Sequence, residues 1–542
     1  MVQWNLPGVS APFIASFLLL AGYNLPFWKS FTGATGGFGS AQLPLQAGMF
    51  LLVFLIFGGC LTLLNFRGVF KPVLVFLFVA TSAASYFMNQ YGTAIDWSMI
   101  QNVVQTDARE GMELLTWKML LTVAVFGVLP AALLLRTNIT YLPFKRHLVQ
   151  LSATVAGALV LATVLLLLLY KGLAPTLREH RELRFLLTPT NYLQAVNGYF
   201  KRQWTMPIVV SPMGTDASKG IVWNGQARRT VTIMIVGETA RSMNFSLNGY
   251  SRQTNPLLAG QAGLVNFSQF QSCGTATAVS VPCMFSALGR HQYSDTKAQS
   301  QENLLDVLAH ADFDVRWLDN NSGCKGVCDR IAYDDLSKPA PSDPLCTLEE
   351  CYDEKLLRNL PAMIHGATKD LLIVLHQKGS HGPSYSKRYP KRFARFGPVC
   401  ETSELSNCST ESITAAYDNT ILYTDFIISK AISILETSGA EDGVDTALLY
   451  VSDHGESLGE KNMYLHGAPF IISPPEQRHV PFMLWLSDSF RTRFHIDARC
   501  LAAREDQEFS HDNLFHSTLG MLAINTAVYN PKLDIFHACK NA

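Results

Sequence analysis

Stretches near residues 11–28, 45–66, 70–88, 117–135 and 148–170 are long and apolar enough to cross a hydrocarbon core, a crossing that takes roughly 20 helical residues. Within lipid every backbone N–H and C=O must find its partner inside the segment, so this third of the chain is restricted to helices. About five spans are predicted. The first lacks a charged leading region and is followed by further spans with no soluble domain between them, so it reads as an anchor and not as a cleaved leader.

The short loops carry a charge asymmetry. Arg67 with Lys71, and Arg136 with Lys145 and Arg146, lie between spans two and three and between spans four and five. Positive loops stay cytoplasmic, which puts the N-terminus inside and everything after Tyr170 outside, together with the acidic loop of Asp96, Asp107, Glu110 and Glu113. With 542 residues and so uneven a distribution of apolar side chains, at least two domains are expected. Net formal charge is zero and no basic stripe occurs, which argues against nucleic acid as a partner.

Cysteine usage tests the topology separately. Cys60 lies in a span, whereas the other ten cysteines follow residue 270. An even number outside the membrane points to disulfides in an oxidising compartment. Cys273/Cys283, Cys324/Cys328, Cys346/Cys351 and Cys400/Cys408 are neighbours in sequence, which leaves Cys500 for Cys539. Cys324-x3-Cys328 also fits half of a zinc ribbon.

Residues 171–229 read as a connection. Leu193, Val196 and Phe200 repeat at helical spacing, which suits either an interfacial helix or a linker helix packed on the soluble domain. Ser211 to Gly220 reads as a flexible joint. From Thr230 onward strand-like runs alternate with helical patterns, so residues 230–542 are expected to form an α/β/α sandwich on a largely parallel sheet. The predicted domains are 1–170, 171–229 and 230–542.

The strand-like runs at Val231–Val236, Asp370–Leu375 and Thr446–Val451 lead into Glu238, His381 and Asp453-His454. Strand carboxyl ends in an open parallel sheet converge on one crevice, so ligands distant in sequence can share one metal. Glu238, Asp453 and His454 with the Thr277 hydroxyl make a mixed oxygen and nitrogen set suited to zinc. Thr277 is the candidate nucleophile, because a zinc ion lowers the pKa of a bound oxygen by many units. His381 and His466, each beside a glycine, form a second layer that can bind a second zinc or donate a proton. Lys325 would place positive charge where a phosphoryl group transfers. The bracket from Cys273 to Cys283 would hold the nucleophile loop in place.

The strings Val-Gly-Glu-Thr-Ala-Arg241, Leu-Asn-Gly-Tyr250, Ser-Cys-Gly-Thr-Ala-Thr277-Ala-Val-Ser-Val-Pro-Cys283, Gly-Cys-Lys325-Gly-Val-Cys328 and Ser-Asp453-His454-Gly-Glu-Ser-Leu-Gly-Glu460 closely resemble the phosphoethanolamine lipid A transferases. These are bacterial inner-membrane enzymes of the alkaline-phosphatase-like superfamily, and the family includes the colistin-resistance determinants. The resemblance implies an α-helical transmembrane domain of about five spans and a periplasmic sandwich of the alkaline phosphatase/sulfatase type. It implies zinc on Glu238, Thr277, Asp453 and His454, and a covalent phosphoethanolamine on Thr277. It also implies Asn321, Lys325, His381, Glu456 and His466 as contacts to substrate phosphate or a second zinc.

Asn102, Thr106 and Glu110 match positions proposed in the family for lipid binding, and their spacing places all three on one helical face. The donor implied is phosphatidylethanolamine, the acceptor a phosphate of lipid A, the outcome polymyxin resistance, and the working unit a monomer. Phosphoethanolamine or phosphoglycerol transfer to another envelope glycan is the nearest alternative. A sulfatase is disfavoured, because its nucleophile sits in a Cys/Ser-x-Pro-x-Arg setting and Thr277 does not. An inactive membrane-anchored binding protein is disfavoured by the complete ligand set.

Overall fold

Leu43–Leu63, Phe70–Tyr91, Trp117–Arg136 and Phe144–Glu179 are helices long and apolar enough to cross a membrane. The computed structural model describes residues 5–106, 108–203, 209–339 and 342–540. The predicted first span is instead a bent pair, Ala11–Tyr23 and Leu25–Ala34, that turns by 72° and brings the candidate spans among the described residues to five if it counts as one. Asn24 stands at the break. Its buried amide donates to the Leu19 and Thr188 carbonyls, both at 2.9 Å, and accepts from Thr188 N–H at 2.7 Å. Pro26 enters the second helix in its first turn, where a missing N–H costs nothing. The last long helix runs to Glu179, past the expected end near residue 170.

Two compact units emerge: residues 1–100 with 115–198, and residues 101–114 with 199–542. The short segment 101–114, placed by sequence in the domain 1–170 as an outside loop, thus packs with the second unit. In the first unit Leu19, Phe70, Leu74 and Phe78 are buried together, and Phe27, Phe31, Leu52 and Phe57 make a second cluster. Leu167 and Leu168 remain 70% and 75% exposed, a lipid-compatible face. In the helix Thr190–Gln203, Tyr192 and Ala195 are buried while Leu193 and Phe200 stand exposed.

The second unit is built on an eight-stranded sheet in the order Phe509–Ser510, Leu264–Gln271, His479–Leu486, Asp445–Ser452, Thr230–Gly237, Leu371–His376, Asp314–Asp319, Ala332–Asp335. The five strands from Asp445–Ser452 onward in that order are mutually parallel, and His479–Leu486 runs antiparallel to both its neighbours. Thr230–Gly237, Leu371–His376 and Asp445–Ser452 are buried along their whole length, as expected for strands covered on both faces.

One face carries Met234 and Val236 against Leu304, Leu308 and Leu519; the other carries Ile233 and Ile235 against Ile421, Ile428 and Leu435 of the long helix Thr410–Glu441. This is the expected α/β/α sandwich. The expected flexible joint is docked instead: Ser218–Lys219 pairs with Ile524–Asn525, and Met213 N–H donates to Glu302 Oε2 at 2.8 Å.

All five cysteine pairs are disulfides: Cys273 with Cys283, Cys324 with Cys328, Cys346 with Cys351, Cys400 with Cys408, and Cys500 with Cys539. Cys324 and Cys328 therefore have no thiolates for a zinc ribbon. Cys408 does its work at a helix entrance and not among the ligand residues. It stands just before the long helix Thr410–Glu441, its N–H donates to the Leu405 carbonyl at 3.0 Å, and its partner Cys400 donates its own N–H to the Ser412 carbonyl at 3.0 Å. The pair thus clamps the preceding loop to the first turn of that helix.

Candidate active site

Register brings the ligands together. Gly237 pairs with Ser452 and Val236 with His376, so the residues one step beyond, Glu238 and Asp453, leave the sheet side by side. Asp453 N–H closes the step on the Gly237 carbonyl at 2.9 Å. Gly379 lies against this corner with φ +56°, and a Cβ there would sit 2.6 Å from the Glu238 carbonyl oxygen. Only glycine combines that conformation with that approach. Thr277 opens the helix Thr277–Met284, whose unpaired first N–H groups favour negative charge.

Thr277 Oγ lies 3.1 Å from each Glu238 carboxylate oxygen and 3.3 Å from His454 Nε2. His454 Nδ1 faces the Gly455 carbonyl at 2.9 Å and must carry the proton, because a carbonyl cannot donate one. The Nε2 lone pair therefore looks at Glu238 Oε1, 3.4 Å away, and Asp453 Oδ2, 3.3 Å away. Asp453 Oδ2 is buried without a hydrogen-bond partner, and Glu238, Asp453 and His454 are all 0% exposed.

Burial pushes Asp453 up to about 6 and His454 down to about 4. Lone pairs facing one another in a dry pocket repel until a cation stands among them. Donors at roughly 2.0–2.2 Å from a tetrahedral zinc are spaced roughly 3.3–3.6 Å apart. The separations to His454 Nε2, 3.3 to 3.4 Å, match that spacing, and those from Thr277 to Glu238, 3.1 Å, lie just below it.

The second layer is close by. His466 has its ring centroid 4.4 Å from that of His454 and 5.1 Å from that of His381. His466 Nδ1 meets Glu456 Oε2 at 2.8 Å, and Glu456 Oε1 accepts from Tyr385 at 2.6 Å. Burial pushes Glu456 up to about 7. His381 Nδ1 donates to the Gly382 carbonyl at 2.7 Å, and Arg388 holds the His381 carbonyl at 2.8 Å. Asn321 donates to Glu238 Oε2 at 2.6 Å and so touches the ligand cluster directly.

Lys325 Nζ is turned to the Ser322 carbonyl and hydroxyl, at 2.9 and 2.8 Å, and to the Gln105 carbonyl at 3.3 Å. Asn102 lies in the helix Trp97–Gln105, and the Thr106 N–H and hydroxyl both donate to the Asn102 carbonyl in its last turn. Glu110 belongs to a second short helix, Ala108–Leu114, so the single helical face predicted for the three is broken. The Glu110 side chain lies outside the described residues. Of the disulfides, the Cys273–Cys283 bracket encloses Thr277, whereas Cys346–Cys351, Cys400–Cys408 and Cys500–Cys539 join segments that carry none of the candidate ligands.

Several participants escaped the sequence reading. His376, the last residue of its strand, pairs with Asp319 at 2.9 Å in a fully buried contact and lies 3.2 Å from Asn321 Nδ2. The strand-end rule that singled out Asp453 applies equally to His376; His381, five residues on, drew the attention. His511 accepts from Cys273 N–H at Nδ1 (3.1 Å) and donates from Nε2 to the Ser452 carbonyl (3.0 Å). Ser280 Oγ donates to the Asp453 carbonyl, a second tie between the helix Thr277–Met284 and the strand end that carries Asp453. No local pattern announces either residue.

A parallel-stranded sandwich with this ligand set at its strand ends defines a protein of the alkaline-phosphatase-like superfamily. The Sulfatase family matches residues 230–524, and the family described as Phosphoethanolamine transferase EptA/EptB matches residues 52–204. Phosphoethanolamine transferase EptA of Escherichia coli (strain K12) is 40% identical over 541 residues, covering 97% of this chain and 96% of that one. Phosphatidylethanolamine transferase Mcr-2 of Escherichia coli is 41% identical over 79% of this chain and 80% of its own.

The integral membrane lipooligosaccharide phosphoethanolamine transferase A of Neisseria meningitidis superposes with a TM-score of 0.93 at 34% identity, covering 98% of this chain and 99% of that chain. The chain belongs to the phosphoethanolamine transferase family.

Proposed function

We propose that the protein transfers phosphoethanolamine from phosphatidylethanolamine to a phosphate of lipid A through a covalent intermediate on Thr277. The observation that carries the reading is the Thr277 hydroxyl, which heads a helix and contacts Glu238 and His454 at 3.1 to 3.3 Å. A zinc ion held by Glu238, Thr277, Asp453 and His454 would supply Lewis-acid stabilisation and a lowered hydroxyl pKa. Thr277 Oγ attacks the donor phosphorus, its bond to the diacylglycerol oxygen breaks, and diacylglycerol leaves with a proton. In the second half-reaction an acceptor phosphate oxygen attacks the phospho-threonine and Thr277 is released.

His466, oriented by Glu456 and with His381 as its neighbour, gives and recovers the leaving-group proton in this reading. These two imidazoles are also where a second zinc would be held. Asn321 and Lys325 bind the phosphoryl oxygens, and Asn102, Thr106 and Glu110 meet the lipid. Five disulfides in the second unit support an oxidising location, the periplasmic side of an inner membrane. Adding an ethanolamine cation lowers the charge of lipid A and its attraction for polymyxins. Intact mass after exposure to phosphatidylethanolamine should gain one phosphoethanolamine, on Thr277. In expressing cells lipid A should gain the same mass, and Thr277→Ala should abolish both; a mass gain on another glycan would displace lipid A as acceptor.

A further inference from the structure

Two arginines share one aromatic ring at the edge of the nucleophile loop. The guanidinium of Arg290 lies 4.1 Å, and that of Arg478 5.4 Å, from the centroid of Phe470. Phe470 ends the loop that begins at His466, and this loop is stitched to the nucleophile loop: Gly467 N–H donates to the Thr275 carbonyl at 2.7 Å and Thr275 Oγ to the Ala468 carbonyl at 2.6 Å. Arg478 is fixed from the other side, where its carbonyl accepts from Ser272 N–H at 2.7 Å. Arg290 lies in the helix Gly289–Gln292, which follows the nucleophile helix.

Charge sets the pair apart from most arginines of this unit. Arg241, Arg252, Arg330, Arg358, Arg388 and Arg493 each reach a carboxylate. Among the described residues no carboxylate lies within ion-pair distance of Arg290 or Arg478. The acids nearest Arg290 act on its guanidinium only through space: Asp512 accepts the backbone N–H of Arg290 at 2.7 Å, and Asp295 accepts the Tyr293 hydroxyl at 3.1 Å. Arg478 Nε is buried with no hydrogen-bond partner. Loss of hydration holds Arg290 below its ordinary value. Partly desolvated guanidiniums with no carboxylate in direct contact can receive an anion, and their planar forks suit phosphate. Ile471, 65% exposed beside them, adds an apolar edge of the kind an amphiphile meets.

We propose that Arg290 and Arg478 form an acceptor subsite that holds a second phosphate of the acceptor lipid while the first phosphate reacts at Thr277. This rests on the reading given under Proposed function. The donor has a single phosphodiester, consumed at the reacting centre, so a second anion has to come from the acceptor. The site therefore selects acceptors carrying two phosphates.

The test uses the full chain in detergent micelles and separates the half-reactions. In the Arg290→Gln/Arg478→Gln variant, formation of the Thr277 adduct from phosphatidylethanolamine should stay within about twofold of the unmodified enzyme. The KM for bis-phosphorylated lipid A should rise by roughly ten- to a hundredfold, the scale of one or two charge-assisted hydrogen bonds. With lipid A carrying a single phosphate, unmodified and variant enzymes should perform alike. Arg290→Lys/Arg478→Lys, which keeps the charge and loses the fork, should fall between, and it carries the test if the glutamine variant does not fold. Equal loss on both acceptors, loss in the donor half-reaction, or no loss at all overturns the subsite. Absence of any Thr277 adduct in the unmodified enzyme overturns instead the reading beneath it.

Discussion

Replacing His511 by leucine should loosen the nucleophile loop without touching a ligand. The ring is 1% exposed, and its two nitrogens join Cys273 N–H to the Ser452 carbonyl. Leucine fills similar space but strands both backbone groups in a dry interior at a cost of about 1–3 kcal/mol each, so a total loss of about 2–6 kcal/mol is expected. Asparagine can restore the acceptor toward Cys273 and should recover about half of that.

A second signature comes from acid. Burial holds His511 at about 4 against an ordinary 6.5, so the ring is neutral in the fold and protonates only on unfolding. Its contribution is intact above pH 6.5 and is lost as pH falls toward 4, by about 1.4 kcal/mol per pH unit. The leucine variant has no such slope, and the shift of His516, also down to about 4, cancels in the difference. Thermal unfolding of the full chain in detergent between pH 7.5 and 5 measures both effects. kcat should fall by roughly a hundredfold if Thr277 moves by about 1 Å. A leucine variant with the acid slope of the unmodified protein, or one matched by asparagine in stability and kcat, would refute the bracing role.

Three further outcomes are expected. Chelation should abolish adduct formation and stoichiometric zinc should restore it, with elemental analysis as the check; full activity in zinc-free protein would sink the ligand assignment. Cys273→Ser/Cys283→Ser should lower kcat by roughly tenfold or more through loss of loop constraint while leaving membrane insertion unchanged, because the spans contain only Cys60. Asn321→Leu removes the 2.6 Å bond to Glu238 and should weaken zinc affinity by roughly 10–100-fold, read by competition with a chelating dye.

How far the sequence could be read depended on the range of the interactions involved. Glu238 and Asp453-His454 stand out because each follows an apolar run, and the chain order of a parallel sheet sends such ends to one edge. The bend at Asn24 is invisible locally, since its partner Thr188 lies 164 residues away. The same applies to His511, 238 residues from Cys273 and held by backbone groups that every sequence possesses. Asn102, Thr106 and Glu110 do not share one face because spacing reports a helix only while the helix continues. Here it stops at Gln105, and a second short helix starts at Ala108.

The assignment of residues 101–114 to the second unit means that the border between the units is not a point along the chain. The polypeptide passes from one to the other three times, between residues 100 and 101, 114 and 115, and 198 and 199. A fragment beginning near residue 199 would therefore lack Glu113, which shares the buried Arg388 with Glu350, and the Gln105 carbonyl that receives Lys325. A chimera made by a single crossover between two relatives would join each unit to a borrowed piece of the other. Compatibility between a membrane region and a catalytic domain is thus inherited through a fourteen-residue insert as well as through the joint that links them.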